Sequence, residues 1–180
     1  MTYVFVSYLL LPSLFENIAK IFLSNRDATV IVVDNSPEKE AAAIREQLTC
    51  DFPDVTYLKS TLNNRFYAYN LVLDRLSTEW TTFRTDDDRF EEDHYLRAVA
   101  GHSGDYLYGR HSYDTFIEEV DGPYRPIETV IFKTRTLQKL APFDLEPSSD
   151  WKLLHELFTT PHFEGQLIDE VMMHKRVHGR

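Results

Sequence analysis

Four short runs of β-branched and aromatic residues recur in the first half of the chain at intervals of roughly 25 residues, and this spacing restricts the fold more than any other feature. The runs are Tyr3 to Tyr8, Ala28 to Asp34, Val55 to Lys59 and Trp80 to Arg84, each bounded by polar clusters. Every interval leaves room for a crossover helix, so the runs read as parallel strands of βαβ units. The intervening helices carry their own marks. Ser13 followed by Glu16 has the pattern of a capping box, with Leu14, Ile18, Ile21 and Phe22 then falling on one face. Ser36 before Pro37 reads as an N-cap with proline at the first helical position, opening a helix to about Leu48. A third helix is expected from about Phe66 to Leu76, after the polar Asn63, Asn64 and Arg65.

Beyond residue 100 the pattern changes. Asp105 to Gly109, His111 to Val120 and Thr129 to Lys133 read as strands, interrupted by the turn-rich stretch Asp121 to Pro126. Helical patterns return at Thr136 to Leu140 and Asp150 to Phe158, and a last helix is expected near Gly165 to Arg176. The expected class is α/β, a mostly parallel central sheet with a mixed or antiparallel second half. One domain of 180 residues is the natural size for such a core, and 12 Phe with 10 Tyr supply rigid apolar area to pack it.

Charge and cysteine usage narrow the partners. A formal net charge of -10 weighs against a nucleic-acid partner, because phosphate backbones are held by fields of Lys and Arg. An acidic protein that holds a still more acidic ligand needs a local positive charge, and a divalent cation is the simplest source. Cys50 is the only cysteine, which excludes a disulfide framework and a cysteine-based zinc site and fits a reducing compartment, the cytoplasm. The apolar stretch Val4 to Phe15 lacks a basic leader, is broken by Pro12 and is too short for a bilayer. No signal peptide or membrane span is expected.

In a parallel sheet with right-handed crossovers, ligands bind beyond the carboxyl ends of the strands. Two polar clusters fall there: Asp34, Asn35 and Ser36 after the second strand, and Asp86, Asp87 and Asp88 after the fourth. Three consecutive carboxylates repel one another, and a bound cation relieves that repulsion. Magnesium and manganese take oxygen ligands, commonly one or two carboxylates plus substrate phosphate oxygens. In extended chain Asp86 and Asp88 point one way and Asp87 the other, so at most two would ligate. Each cluster also has a plainer reading. The acid run could be a solvated turn ahead of a helix from Arg89 to His102, and Asp34 to Ser36 a loop and N-cap.

The order Val-Ser-Tyr in the first strand, then Val-Ile-Val-Val-Asp-Asn-Ser, then an Asn-rich helix with Ala68 and Asn70, then a strand running into Thr-Asp-Asp-Asp, resembles family 2 glycosyltransferases of the GT-A fold. The resemblance covers roughly residues 3 to 90, with echoes at Phe143 to Leu154 and His174 to Gly179. It implies a GT-A type α/β/α sandwich, with about residues 1–100 as the nucleotide-sugar-binding half and about 101–180 as the acceptor half. It also implies roles. Asp34, with Asn35 beside it, would recognise the nucleotide base, and the backbone at Ser7 and Tyr8 would pass over the nucleoside. Arg65 would touch the donor. Of the acid run, either Asp86 and Asp88 take the family's two acidic positions, or Thr85 and Asp87 do; Asp86 then falls to the ribose or sugar, and Asp87 or Asp88 to the metal. Ser149-Asp150-Trp151 resembles the Glu-Asp-Trp segment that carries the catalytic base of inverting members, which makes Asp150 the candidate base, with an N-cap as its alternative role. His178 resembles a late histidine that can complete the metal site.

The resemblance therefore implies a metal-dependent, inverting glycosyltransferase that uses Mn2+ or Mg2+ and a nucleoside-diphosphate sugar, with UDP the common carrier among relatives. Nucleotidyl transfer is the closest rival, but the first strand leads into Leu9, Leu10, Leu11 and Pro12 rather than a Gly-rich, basic phosphate loop. A non-catalytic sugar-nucleotide or carbohydrate-binding module is the rival from another class. The acceptor is not legible: glycan, lipid, protein and a modified DNA base all remain. Tyr106, Tyr108, Tyr113, Phe116 and Tyr124 could stack on sugar rings or simply pack the core.

Overall fold

Alternate residues of the first strand, β1 (Thr2–Ser7), enter two different cores. The structure, a computed structural model, describes residues 1–9, 12–113, 116–118 and 122–176, the side chains at 40, 41 and 44 excepted. Tyr3 and Phe5 of β1 and Val30 and Val32 of β2 (Thr29–Asp34) face one side, against α1 (Pro12–Ser24) and α2 (Glu38–Asp51). Val4, Ile31 and Val33 face the other, against Phe66, Ala68, Tyr69 and Val72 of α3 (Arg65–Val72). That alternation is the period of two expected of a pleated strand, and burial on both faces is why these runs are so uniformly apolar.

A single nine-stranded sheet runs through the described residues. β3 (Thr56–Lys59), β2, β1 and β4 (Trp80–Thr85) are parallel neighbours in that order, as the βαβ spacing predicts. The second half is mixed. β8 (Val130–Lys133) lies antiparallel to β4, and β6 (Tyr106–Tyr113) antiparallel to β8. β9 (Gly165–Lys175) then adds parallel to β6, while β5 (Arg89–Phe90) caps β9 and β7 (Phe116–Glu118) pairs with β6. On the α3 face lie α5 (Thr134–Leu140) and α6 (Ser149–Thr159), whose Leu137, Leu153, Leu154 and Leu157 join the larger core. On the opposite face α4 (Glu92–Val99) brings Tyr95 against Trp80, Leu107, Ile131, Met172 and Met173. Layers of helix on both sides of the sheet make the expected α/β/α sandwich.

The expected helix over Gly165 to Arg176 is instead strand β9, and its neighbour explains why. Gly109 of β6 and Gly165 of β9 leave space that a Cβ would close: one built on Gly109 would meet Met172 Cγ at 1.9 Å, and one on Gly165 would meet the Tyr106 ring at 2.1 Å. The two strands approach closely across a bulge at Gly109 to His111, and this long-range pairing overrides the local helix-forming residues. Several boundaries move for similar reasons. Ser36 does not cap α2, because its hydroxyl accepts the Leu9 backbone N–H at 2.7 Å and Pro37 takes the cap position. Ser13 lies inside α1 rather than at its cap. The helix expected from Arg89 starts at Glu92, since Arg89 and Phe90 pair with His174 and Met173. Tyr106 to Tyr113 is one strand where two were expected with a break at Arg110, and the tail of the second, Val120, lies outside the described residues.

Arg84 of β4 is fully buried, with its guanidinium 3.6 Å from the Tyr95 ring centroid and 4.2 Å from that of Phe90. It pairs with Glu92 at 3.3 Å. This buried pair ties β4 to α4 immediately before the chain turns into Asp86.

Candidate active site

Ser7, the last residue of β1, holds the two polar clusters together. It lies in register with Asp34 of β2, and its hydroxyl donates to Asp86 Oδ2 at 2.5 Å. The Tyr8 backbone N–H reaches the same carboxylate oxygen at 3.3 Å, and the Asn35 N–H donates to the Ser7 carbonyl at 2.8 Å. The clusters thus share one sheet edge, as the topology requires. Beyond Thr85 the chain bends rather than continuing extended. Asp86 therefore turns toward β1 while Asp87 and Asp88 together line a cleft of about 460 Å³. The alternating orientation expected of extended chain does not hold here.

Asp88 is nearly buried and well braced. Its Oδ2 accepts the Thr85 hydroxyl at 2.7 Å and its Oδ1 the Arg176 backbone N–H at 3.0 Å, while its carbonyl accepts from Asn17 Nδ2 at 2.9 Å. Burial pushes the carboxyl groups of Asp86 and Asp88 above the usual range; the hydrogen bonds from Ser7 and Thr85 oppose that rise. Lys175 and Arg176, at the end of β9, line the same cleft. Asp150, in the first turn of α6, lines it too, as do Glu128 and Arg65. Asp150 is not the N-cap, a position held by Ser148 in left-handed conformation (φ 64°). One carboxylate oxygen of Asp150 is bonded by Arg65 and the other accepts the Trp151 N–H at 3.1 Å. Glu128 is also buried, which raises its pKa, and the Arg65 charge partly counters this.

A second cleft of about 440 Å³ opens at the carboxyl ends of β1, β2 and β3, lined by Tyr8, Asn35, Ser36, Lys59, Ser60 and Asn63 among others. Asp34 lies beneath it, fully buried, accepting the Ser36 N–H at 2.7 Å and the Tyr57 hydroxyl at 2.8 Å. Asn35 is 7% exposed and its Oδ1 has no hydrogen-bond partner among the described residues. An unpaired buried carbonyl is costly, and a ligand N–H would satisfy it.

The family model for glycosyl transferase family 2 matches residues 4–147. The chain belongs to that family. No curated protein matches it by sequence. Among solved structures, TarS 1-349 of S. aureus superimposes with a TM-score of 0.74 at 14% identity, over 97% of this chain and 60% of that one. The same protein in complex with UDP-GlcNAc gives 0.74 at 15%, over 99% and 59%. The mannosyltransferase PcManGT from Pyrobaculum calidifontis, in complex with GDP-Man and Mn2+, gives 0.76 at 17%, over 99% and 57%. At such identities the likeness establishes the GT-A-like fold. This family 2 chain spans 57 to 60% of the length of those three neighbours.

Of the residues singled out from sequence, the structure brings Arg65, Asp87, Asp88 and Asp150 to the first cleft and Tyr8 and Asn35 to the second. Ser7, Asp34 and Asp86 lie between and beneath the clefts, with their polar atoms turned inward. His178 lies outside the described residues. Sequence reasoning passed over Glu128, Lys175, Arg176 and the buried His111. The aromatic set divides. Tyr106 is core, Tyr108 packs against it, and Tyr113 and Tyr124 line the first cleft.

The donor set at the strand end suits a hard divalent cation. Asp87 and Asp88 offer only oxygen, and a carboxylate that accepts two hydrogen bonds keeps lone pairs for a metal. Among the described residues no three His, Cys, Asp or Glu side chains cluster to hold a metal by themselves. Phosphate oxygens and water would therefore complete the coordination, which is the usual situation for Mg2+ and Mn2+.

Proposed function

We propose that this family 2 chain transfers a sugar from a nucleoside-diphosphate sugar to an acceptor hydroxyl, in a metal-dependent and inverting reaction. The observation that carries the reading is the Ser7 bridge. Through Ser7, Tyr8 and Asp86 the second cleft, with its unpaired Asn35 oxygen, adjoins the first, with its acids and terminal cations. A nucleoside in the second cleft would extend its diphosphate past Asp86 toward Asp87, Asp88, Lys175 and Arg176. That TarS binds UDP-GlcNAc and PcManGT binds GDP-Man with Mn2+ supports this direction for a chain of like fold.

The chemistry follows from charge. In the displacement, a bond forms from the acceptor oxygen to the anomeric carbon as the bond from that carbon to the phosphate oxygen breaks. Positive charge grows on the sugar and negative charge on the leaving diphosphate, much as in glycoside hydrolysis. Lys175 and Arg176 lie where they would favour the leaving group, and a divalent cation held by Asp87 and Asp88 would supply further charge neutralisation there. The acceptor proton passes to Asp150, which lines the same cleft as Asp87 and Asp88. One displacement inverts the anomeric configuration. Arg65, 45% exposed in its side chain and bonded to Asp150, orients that carboxylate and can exchange to a donor oxygen.

A melting-temperature panel of UDP, GDP, CDP and dTDP, with and without manganese, tests the reading. One nucleotide should raise the midpoint, and more with metal present. No shift from any of the four, with or without metal, would remove the donor site.

A further inference from the structure

We propose that the acceptor is a neutral carbohydrate, one ring of which packs in the corner formed by Tyr124 and Trp151; this rests on the transferase reading above. Both are large side chains left open to solvent, 62% and 47% exposed, and both line the first cleft. Their ring centroids are 6.0 Å apart and their planes meet at 87°, so they form the two walls of a right-angled corner. Two adjoining exposed aromatic rings on the wall of a polar cleft offer a ligand an apolar face beside hydrogen-bonding groups.

The backbone beneath the corner is anchored on both sides. Trp151 stands in the first turn of α6, directly after Asp150, with its N–H bonded to the Ser148 carbonyl at 3.0 Å. Tyr124 is carried by a loop that Arg125 fastens. The Arg125 guanidinium donates to the Gly122 carbonyl and to the Gly109 carbonyl, each at 2.9 Å, and lies 4.3 Å from the Tyr108 ring centroid. Anchoring from both sides lowers the ordering cost of binding and sets the rings beside the carboxylate that takes the acceptor proton.

The shape and charge of the corner select the ligand class. A sugar ring has a C–H face that suits an aromatic wall and a rim of hydroxyls that suits Asp150, Glu128 and Ser148, which line the same cleft. An acyl chain needs a continuous apolar groove, and charged side chains interrupt this one. A nucleic-acid strand would also stack on the rings, but a net charge of -10 on the chain disfavours a long polyanion.

The chain reports on its own corner, because it has two tryptophans and the other, Trp80, is buried. The full chain, holding the nucleoside diphosphate that raises its melting temperature, is titrated with methyl hexosides, methyl N-acetylhexosaminides and their linear oligomers while tryptophan emission is followed. Expected is a saturable blue shift with at least one saccharide, lost in Trp151→Phe. Tyr124→Ala should weaken the binding about tenfold, read by calorimetry, and Tyr124→Phe should restore it. Calorimetry on Trp151→Phe separates a lost reporter from a lost site, and the nucleotide-induced melting shift of each variant verifies folding. A nucleotide shift without saccharide binding overturns the acceptor assignment and leaves the donor reading standing. Saturation by a single-stranded oligonucleotide or a serine-containing peptide in place of any saccharide also overturns it. Absence of every nucleotide shift removes the transferase reading, and the acceptor role with it.

Discussion

Arg65 donates directly to the carboxylate of Asp150, so the proposed base rests beneath a guanidinium borne by a helix on the same face of the sheet. The pair joins the first turn of α3 to the first turn of α6. If Asp150 accepts the acceptor proton, Asp150→Asn should keep the geometry and remove the proton acceptor. Transfer should fall by about 10²- to 10⁴-fold while the nucleotide-induced melting shift persists. Loss of the nucleotide shift instead would assign Asp150 to structure.

The acid run should show itself through linkage. A nucleotide at about a hundred times its dissociation constant adds about 2.7 kcal/mol, which in a chain of this size raises the midpoint by about 5 to 11 °C. Asp88→Asn should abolish the part of that rise that needs manganese, and Asp87→Asn should reduce it. Thermal denaturation of both variants with and without manganese measures this. A manganese increment that survives in both would show that neither carboxylate holds the metal.

The contrast between the acid run and Glu128 marks what a sequence can disclose. Three adjacent acids at the end of a strand are conspicuous because their repulsion demands an explanation in any fold. Glu128 is a single acid after Pro126 and Ile127, and its burial arises from contacts made by its own backbone. Its carbonyl accepts from the Tyr95 hydroxyl at 2.8 Å and from Arg84 Nη1 at 3.4 Å, both distant in sequence. The same contrast separates β1 to β4 from β9. The first four strands are β-branched or aromatic and buried on both faces, so local preference and tertiary pairing agree. In β9 Met172 and Met173 are consecutive buried residues amid Asp, Glu and Lys, and pairing with β6 and β5, both distant in sequence, makes that segment extended. Lys175 and Arg176 were missed with it.

Arg84 offers a test of the fold that does not touch the clefts. Arg84→Met keeps much of the volume but leaves Glu92 buried beside Phe90 and Tyr95 without its cation. Removing one partner of a buried pair costs about 3 to 5 kcal/mol, whereas replacing both with apolar groups is often neutral. Urea denaturation should therefore show Arg84→Met strongly destabilised and the double variant Arg84→Met, Glu92→Leu largely restored. Equal loss in both would mean that Arg84 acts through its aromatic contacts rather than its charge.

His111 gives the chain a pH dependence of defined sign. Its ring is nearly buried in β6, and burial holds its pKa below the ordinary imidazole value; the Glu118 carboxylate opposes this, and Lys175 and Arg125 add to the lowering. Nε2 lies 2.7 Å from Glu118 Oε2, and that carboxylate only partly offsets the desolvation. Below about pH 6.5 the unfolded chain takes up a proton that the folded chain resists. The unfolded state then binds more protons, and stability falls as the pH is lowered through that value toward the folded one. His111→Gln removes the titrating group, so its melting temperature should decline less between pH 7 and pH 5 than that of the unaltered chain. Parallel declines in the two proteins would mean that the acid sensitivity comes from elsewhere.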